Sequence, residues 1–241
     1  MNMKSLAAFC LAGASLLTPV AINAQGPPPG PPPQGKAGAP IDLTGTWVRL
    51  VTEDWRFLMV TPPKGDFPGM PLNAEGRKIA NDWDPDKDTR EGNACRAYGA
   101  GGIMRLPGRL RISWQDDTTL KVETDTGTQT RILRFGTPPP PSEASWQGHS
   151  VAQWNIPARN LKVVTTNLRP GYVRKNGAPY SEKATVTEYF DLNAAPNGDQ
   201  WLTITTKVDD PLYFSRPYLT SSDFKKLPNA TAWNPTPCSA R

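Results

Sequence analysis

The feature that most constrains the fold of this chain is a series of short β-strand patterns that runs from Leu110 to Val208. Each segment is rich in β-branched and aromatic residues and is bounded by residues that form turns. The segments are LRISWQ, TLKVETDT, QTRILRF, WQGHSVAQW, LKVVTTNL, ATVTEYFD and WLTITTKV, and GTWVRLV and RFLMVTP precede them. Helical periodicity is limited to residues 73–83 and 222–227. The pattern predicts an all-β domain.

About eight or nine antiparallel strands leave unpaired edges unless the sheet closes on itself. Closure into a barrel buries those edges most completely. A barrel of about eight strands has an interior that is either filled by side chains or able to hold one small ligand. We therefore expect a single antiparallel β-barrel of about eight or nine strands with one or two short helices. A two-sheet sandwich is the alternative.

The first 40 residues differ in composition from the rest of the chain. Residues 1–24 combine Lys4, an apolar run and a small-residue end at Ala24, which is the layout of a secretory signal peptide. Residues 25–40, QGPPPGPPPQGKAGAP, predict an extended, solvated tether because they are dominated by proline and glycine. We expect cleavage near Ala24, export to the periplasm or the medium, and a barrel domain over residues 41–241.

The composition disfavours several classes of partner. The net charge of +5 at pH 7 is mild and the basic residues are scattered, which argues against a nucleic-acid groove. No apolar run after the signal peptide is long enough to span a membrane. We therefore expect a monomer that does not insert into a membrane and whose partner is a small molecule.

Export would leave Cys95 and Cys238 as the two cysteines of the folded protein, in a compartment that favours oxidation. We expect them to form a disulfide; two free thiols are the alternative. A nucleophilic cysteine is disfavoured because His149, the only histidine, is the only imidazole that could activate it.

Neither a metal nor a cofactor is expected. The single histidine argues against a centre built on two or three histidines. The run NDWDPDKD at 81–88 has an aspartate at every second position and partly matches a calcium loop. Lys87 and Asn93 stand where an EF-hand has glycine and glutamate, so a solvated acidic loop after a short helix is the plainer interpretation.

Five stretches together resemble a family of uncharacterised exported bacterial proteins with a predicted lipocalin-like, or calycin-like, β-barrel. They are DLTGTW at 42–47, residues 97–131, WQGHSVAQW at 146–154, residues 161–181, and the tail from DDPLYFSRPY to NPTPC. The resemblance implies the fold of essentially the whole barrel domain, and it implies no reaction. Gly45-Thr46-Trp47 also resembles the G-x-W of the first lipocalin strand, but the chain ends on a proline-rich tail instead of a long helix. Kinship to lipocalins is therefore a likeness of shape.

The segment WQGHSVAQW approaches the G-x-S-x-G elbow of serine hydrolases. Such an elbow needs a strand-to-helix turn and a separate histidine, whereas adjacent His149 and Ser150 on a strand face opposite sides. We therefore interpret the segment as a strand. Trp146, Ser150 and Trp154 would face inward, with small residues between them that leave room for a ring or a ligand, and His149 would face outward into solvent.

The strand SEKATVTEYFD places Glu188 on an apolar face and thus predicts a buried carboxylate. Such a group needs a cationic partner or a raised pKa. Arg134 in QTRILRF is the candidate partner, although Leu133 and Phe135 occupy the other face of that segment and could equally be the buried ones.

Two functional hypotheses follow from a polar pair in an apolar barrel, beside a purely structural ion pair. A binder of a hydrophobic or amphipathic ligand would use Arg134 for an anionic or carbonyl head group. A cofactor-independent lyase or isomerase would use Glu188 as a general acid or base. The predicted ligand-binding residues are Trp114, Arg134, Trp146, Trp154, Tyr172, Tyr180 and Glu188. We favour the binder over the enzyme and over a structural envelope protein; a barrel filled by side chains would argue against both ligand hypotheses.

Overall fold

Within the residues that the structure describes, nine β-strands close into a barrel. The computed structural model describes residues 30, 32–52, 58–229 and 232–241, so the expected signal peptide lies outside them. The barrel strands are β1 (Gly45–Arg49), β2 (Arg109–Asp116), β3 (Thr119–Thr124), β4 (Gln129–Phe135), β5 (His149–Asn155), β6 (Asn160–Thr166), β9 (Thr185–Ala194), β10 (Gln200–Asp209) and β11 (Tyr218–Leu227). A separate two-stranded sheet consists of β7 (Gly171–Tyr172) and β8 (Pro179–Tyr180). The prediction of a barrel is confirmed.

The strands follow the order β1-β11-β10-β9-β6-β5-β4-β3-β2 around the barrel. Neighbours are antiparallel except β4 and β5, which run parallel over residues 133–135 and 150–152. An odd number of strands cannot alternate in direction all the way round a closed barrel, so a parallel pair is required. The long connection 136–148 makes it possible by carrying the chain back to the other end. The prediction of a purely antiparallel barrel is therefore wrong at this parallel seam.

Among the described residues before β2, the chain forms the helices α1 (Ala74–Asn81) and α2 (Pro85–Arg90). Asn73 caps α1, because its side-chain oxygen accepts a hydrogen bond from the amide of Gly76 at 2.9 Å, and the predicted helix at 73–83 is confirmed. The prediction of a second helix at 222–227 is wrong. These residues belong to β11, whose pairing with both β10 and β1 outweighs a weak local preference. Residues 58–62 of the predicted RFLMVTP strand do not form a strand either.

The two ends of the barrel differ in how the chain connects the strands. We call the end with the short turns after β2, β5 and β9 the lower end, and the opposite one the upper end. The upper end receives the long connections 50–108 and 167–184. Residues 95–107, which we call the plug, close it with two short 3-10 turns at 96–98 and 103–105.

Side chains fill the barrel in two hydrophobic clusters. The barrel core includes Trp47, Ile112, Leu133, Phe135, Trp154, Leu161, Phe190 and Phe224, together with Tyr98 and Met104 of the plug. The upper core includes Met70, Leu72, Leu168, Tyr180, Val186, Val208, Phe214 and Tyr218. The inward faces of the described strands are thus occupied by the protein's own side chains.

Residues 34–40, which we call the strap, lie against the lower end of the barrel. The backbone amide of Trp154 donates to Gln34 Oε1 at 2.8 Å, and the Trp154 indole N–H donates to the carbonyl of Gly35 at 2.7 Å. The amide of Lys36 donates to the carbonyl of Asp117 at 2.8 Å. The expectation of a solvated tether therefore does not hold from Gln34 onward, because the strap satisfies polar groups of the barrel that would otherwise lack partners.

A disulfide joins Cys95 of the plug to Cys238, with a Cα–Cα distance of 5.1 Å, and the predicted pairing is confirmed. The segment around Cys238 also contacts the β3–β4 turn, where the amide of Thr236 donates to the carbonyl of Asp125 at 2.9 Å. In the part of the chain that the structure describes, none of the helices has the length and apolar character that a membrane crossing requires.

Candidate functional site

A fully buried ion pair lies inside the barrel, between Arg131 on β4 and Glu188 on β9. The two side chains are 1% and 0% exposed. Arg131 donates from Nη1 to Oε1 at 2.8 Å and from Nη2 to Oε2 at 2.5 Å. The predicted burial of Glu188 is confirmed, but the prediction that Arg134 is its partner is wrong. Because β4 turns Arg131, Leu133 and Phe135 inward, Arg134 lies exposed on the outer face.

Two hydroxyl groups extend the hydrogen bonding of this ion pair. Arg131 Nη2 also donates to Thr165 Oγ1 at 3.3 Å, and Thr165 Oγ1 lies 2.8 Å from Ser150 Oγ. Ser150 therefore faces inward as predicted and joins this network, in which Arg131 Nε has no hydrogen-bond partner among the described residues. The pairing engages both carboxylate oxygens of Glu188, as a structural internal ion pair requires.

The aromatic residues predicted to enclose a ligand form a stack at the lower end. Trp154 is buried, and its ring centroid lies 5.5 Å from that of Phe135. Phe135 in turn lies 5.6 Å from Trp114, which is half-buried. Trp154 thus contributes to the barrel core, and Trp114 forms the outer end of the stack.

Trp146 does not belong to this stack, and its predicted inward position on a strand is wrong. Gly148 has a positive φ of 63°, so the chain bends there and β5 begins only at the next residue. The indole N–H of Trp146 donates to the carbonyl of Pro170 at 3.3 Å, and the guanidinium of Arg169 lies 4.4 Å from the ring centroid. Trp146 therefore anchors a connection at the upper end.

His149 is the first residue of β5 and is only 5% exposed. Its Nδ1 has no hydrogen-bond partner among the described residues. The prediction of a solvated His149 is wrong, because alternation along a strand identifies the outward face and cannot indicate that other segments cover that face.

Tyr172 belongs to a hydrogen-bonded cluster that ties the plug to α2. Its hydroxyl donates to Asp88 Oδ2 at 2.8 Å and accepts from Arg96 Nη1 at 3.2 Å. Arg96 Nη1 also lies 2.7 Å from Asp88 Oδ1. Burial raises the pKa of Tyr172 to about 12, and the Asp88 carboxylate adds to this effect. The cluster therefore holds Tyr172 as a neutral donor.

The alternating aspartates near α2 serve separate purposes. Asp84 caps this helix, since it accepts a hydrogen bond from the amide of Asp86 at 2.9 Å. Asp86 pairs with Arg241 at 2.6 Å. Within the described ranges, no three acidic, cysteine or histidine side chains converge as metal ligands would.

Tyr180 is fully buried in the upper core, and burial raises the pKa of its hydroxyl. The hydroxyl has no hydrogen-bond partner among the described residues. A Cβ atom on Gly99 or Gly171 would come within 2.5 Å of this oxygen, so the two glycines are needed where the plug and β7 contact the ring. Tyr180 therefore fills space between these elements.

The predicted site is thus not assembled in one place. Glu188 lies inside the barrel, Trp114 at its lower end and Arg134 on its outer surface. The other predicted aromatic residues are either enclosed in a core or contact the plug and its neighbouring connections. Trp154 belongs to the barrel core and Trp146 anchors a connection at the upper end, so the two rings do not face one cavity.

A pocket of about 200 Å³, which we call the upper pocket, opens between the plug and residues 58–62. Its apolar wall is formed by Leu58, Ala97, Leu106 and Val173. Tyr98 of the plug adds an aromatic ring to this wall. Met59 also lines the pocket, and Met59 and its neighbour Val60 are exposed, at 59% and 58%.

The polar part of the upper pocket is cationic. Arg105, Arg174 and Lys175 line it, and its described lining contains no acidic side chain. The ammonium group of Lys175 lies 5.5 Å from the ring centroid of Tyr98 and contacts the main-chain oxygen of Arg241. An apolar wall beside three cationic side chains is suited to an anion with an apolar body.

Sequence reasoning missed this pocket and the role of Arg131. The signal that could have revealed the pocket is the stretch RPGYVRK at 169–175, which concentrates three of the scattered basic residues around a turn-forming dipeptide. The glycine-rich plug sequence was the second signal, because glycines allow close approach of the backbone to other groups.

No family model, no curated protein and no solved structure matches this chain. The function is therefore inferred from the geometry of the chain itself.

Proposed function

We propose that the protein is an exported binder of a small amphipathic anion and that the upper pocket is the binding site. The observation that carries this proposal is the composition of the pocket, with apolar residues on one side and Arg105, Arg174 and Lys175 on the other. The filled barrel interior argues against a ligand inside the barrel, as both sequence-based ligand hypotheses required, so the proposed site lies outside the strands.

The size of the pocket favours a small ligand. Pockets that enclose drug-sized ligands have roughly 300–1,000 Å³, and the upper pocket has about 200 Å³. A carboxylate or sulfonate head group would lie near Lys175, and an apolar body would contact Leu106 and Val173. Exposed Met59 and Val60 would cover the part of a longer ligand that extends beyond the pocket.

The lyase or isomerase hypothesis receives no support from Glu188. This carboxylate is enclosed with Arg131 inside the barrel and does not line the upper pocket. A general acid or base must lie within hydrogen-bond reach of the proton it transfers.

Export rests on the signal-peptide pattern and is supported by the disulfide, which oxidising compartments favour. Expression of the full chain, followed by fractionation and N-terminal sequencing, tests it directly. We expect the mature protein outside the cytoplasm with an N-terminus near Gln25, whereas an uncleaved cytoplasmic protein would contradict export.

Isothermal titration with octanoate tests the binding site. We expect saturable binding at one site, and weaker binding of octanol because it lacks the charge. Thr61→Trp should abolish binding, since exposed Thr61 lines the pocket and a bulky ring there would fill it. Lys175→Met should weaken binding about tenfold, the usual effect of losing a charge-assisted contact of about 1.4 kcal/mol.

Lys162→Met is the matched control, because Lys162 lies on β6 away from the pocket. It should bind octanoate as the wild type does. Unchanged binding in Thr61→Trp, or an equal loss in Lys162→Met, would disprove the proposed site.

A further inference from the structure

A groove of about 630 Å³ lies at the lower end of the barrel, far from the upper pocket along the strands. We call it the lower groove. The strap forms one of its walls, and Asp42 and Thr44 continue that wall toward β1. Ser113 and Trp114 at the end of β2 form the other. The groove therefore exists only where the strap is docked against the barrel.

Trp114 lines this groove with an aromatic ring. It is half-buried, and its ring packs on that of Phe135 with a centroid distance of 5.6 Å and the two planes tilted by 32°. Phe135 is itself supported by buried Trp154. In the described part of the chain, the indole N–H of Trp114 has no protein acceptor, whereas those of Trp47 and Trp154 donate to carbonyl groups at 3.0 and 2.7 Å.

Two short polar side chains beside this ring, Asp42 and Thr44, are held in place by hydrogen bonds. Asp42 Oδ1 accepts hydrogen bonds from the amide and the hydroxyl of Thr44 at 2.9 and 2.7 Å. These bonds lower the pKa of Asp42, with the hydroxyl of Thr44 as the largest cause. The second carboxylate oxygen accepts no hydrogen bond from the residues that the structure describes. The exposed ammonium group of Lys36 lines the same groove.

We propose that the lower groove is a saccharide-binding site, in which a pyranose ring lies against the indole of Trp114. A pyranose has C–H groups on its faces and hydroxyl groups around its edge, so it can contact an aromatic face and polar side chains together. Hydroxyl groups of the sugar would donate to Asp42 Oδ2 and accept from Lys36 Nζ and the Trp114 indole N–H.

Other ligand classes fit the lower groove less well. An acyl chain needs an apolar enclosure, whereas the apolar residues of this open groove share its lining with four polar side chains: Lys36, Asp42, Thr44 and Ser113. A nucleotide could stack its base on Trp114, but its phosphate groups would meet both the Asp42 carboxylate and the Lys36 ammonium group, so the groove offers them no net attraction. A neutral sugar has neither disadvantage.

Titrations of the mature disulfide-bonded protein with cellotriose, maltotriose and chitotriose test this inference. The readouts are tryptophan fluorescence and the indole N–H resonances in ¹H–¹⁵N spectra. We expect at least one trisaccharide to bind with a millimolar or lower Kd and to shift the Trp114 indole resonance. If none of the three sugars changes the spectra at 10 mM, the proposal is wrong.

Three variants separate a stacked sugar from a general effect on folding. Trp114→Ala should weaken binding at least tenfold, and Trp114→Phe, which keeps a ring against Phe135, should retain part of it. Trp146→Ala is the matched control, since this half-buried tryptophan lies at the upper end. Equal losses in Trp114→Ala and Trp146→Ala would overturn the assignment of the ring.

Asp42→Asn should weaken the same sugar about fivefold. Octanoate titrations of each variant keep the two sites distinguishable, because octanoate binding should not change in Trp114→Ala or Asp42→Asn. A loss of sugar binding accompanied by an equal loss of octanoate binding would mean that the lower groove is not a separate site.

Discussion

The two ends of the barrel are closed by different physical means. At the upper end, long connections meet without extended strand pairing and are held by a disulfide and by buried carboxylates, of which Asp88 binds Arg96 and Asp125 binds Arg109. At the lower end, short hairpins bring strands together, and an aromatic stack with the strap completes the closure. Local turns thus make closure easy, whereas long connections need covalent or charged links. We therefore expect redox state and pH to affect the upper end far more than the lower one.

The largest expected effect comes from the disulfide. Cys95 and Cys238 are separated by 143 residues. Closing so long a loop restricts the unfolded chain, and removing the bond should lower the free energy of unfolding by about 5 kcal/mol. Urea denaturation of the Cys95→Ser, Cys238→Ser double variant measures this. Wild type assayed in reducing agent is the matched control and should show the same loss; a change under 1 kcal/mol would break the contrast between the ends.

The second largest effect concerns the ion pair inside the barrel. Arg131→Met leaves Glu188 buried without its cation, which should cost about 3–5 kcal/mol of unfolding free energy. The double variant Arg131→Met, Glu188→Leu removes both charges and should regain most of that loss. Thermal and urea unfolding of the wild type, the single variant and the double variant measure these free energies. If the double variant is as unstable as the single one, the pair stabilises the fold through its packing and not by balancing a buried charge.

The position of Glu188 could be predicted from the sequence, but its partner could not. Alternation in SEKATVTEYFD assigns one face of β9 to the core, and only apolar neighbours share that face. In QTRILRF both faces combine apolar residues with an arginine, so the local pattern does not decide between them. The decision comes from a contact that spans 57 residues, between Arg131 and Glu188. A tertiary ion pair leaves no trace in the periodicity of a single strand.

The docked strap was beyond prediction for the same reason. It belongs to segment 25–40, whose proline- and glycine-rich composition is typical of a solvated segment. Its binding depends on Trp154, which lies 120 residues away from Gln34 and pairs with Leu161 on β6 but lies beyond the end of the parallel seam with β4. Most strands of the barrel could be predicted because they carry their own pattern, whereas β11, the seam, the plug and the strap depend on contacts that only the closed barrel provides.

A smaller effect at the upper end depends on pH. The pKa of Tyr172 is about 12 in the folded protein, against about 10 for an unperturbed tyrosine. The folded state therefore holds this proton more tightly. The resulting stabilisation is complete below pH 10 and is lost as the pH rises from 10 to 12.

Tyr172→Phe should consequently flatten the decline of stability between pH 10 and 12, and at pH 7 it should cost about 1.5 kcal/mol for the lost hydrogen bond to Asp88. Urea midpoints measured at several pH values test both expectations. Trp114→Phe at the lower end serves as the control and should keep the wild-type slope. Identical slopes for wild type and Tyr172→Phe would show that this hydroxyl does not couple the upper end to pH.

The smallest expected effect lies at the lower end, where Gln34→Ala removes the acceptor for the backbone amide of Trp154. Loss of one neutral hydrogen bond should cost about 1 kcal/mol, and the amides of Trp154 and Lys36 should exchange with solvent faster than in the wild type. Hydrogen exchange followed by NMR resolves these amides individually. Gln153→Ala, an exposed neighbour on β5, should leave both exchange rates unchanged. If Gln34→Ala also leaves both exchange rates unchanged, the indole contact to Gly35 alone holds the strap. If many amides of the upper end also exchange faster in this variant, the two ends are coupled and the contrast between them is wrong.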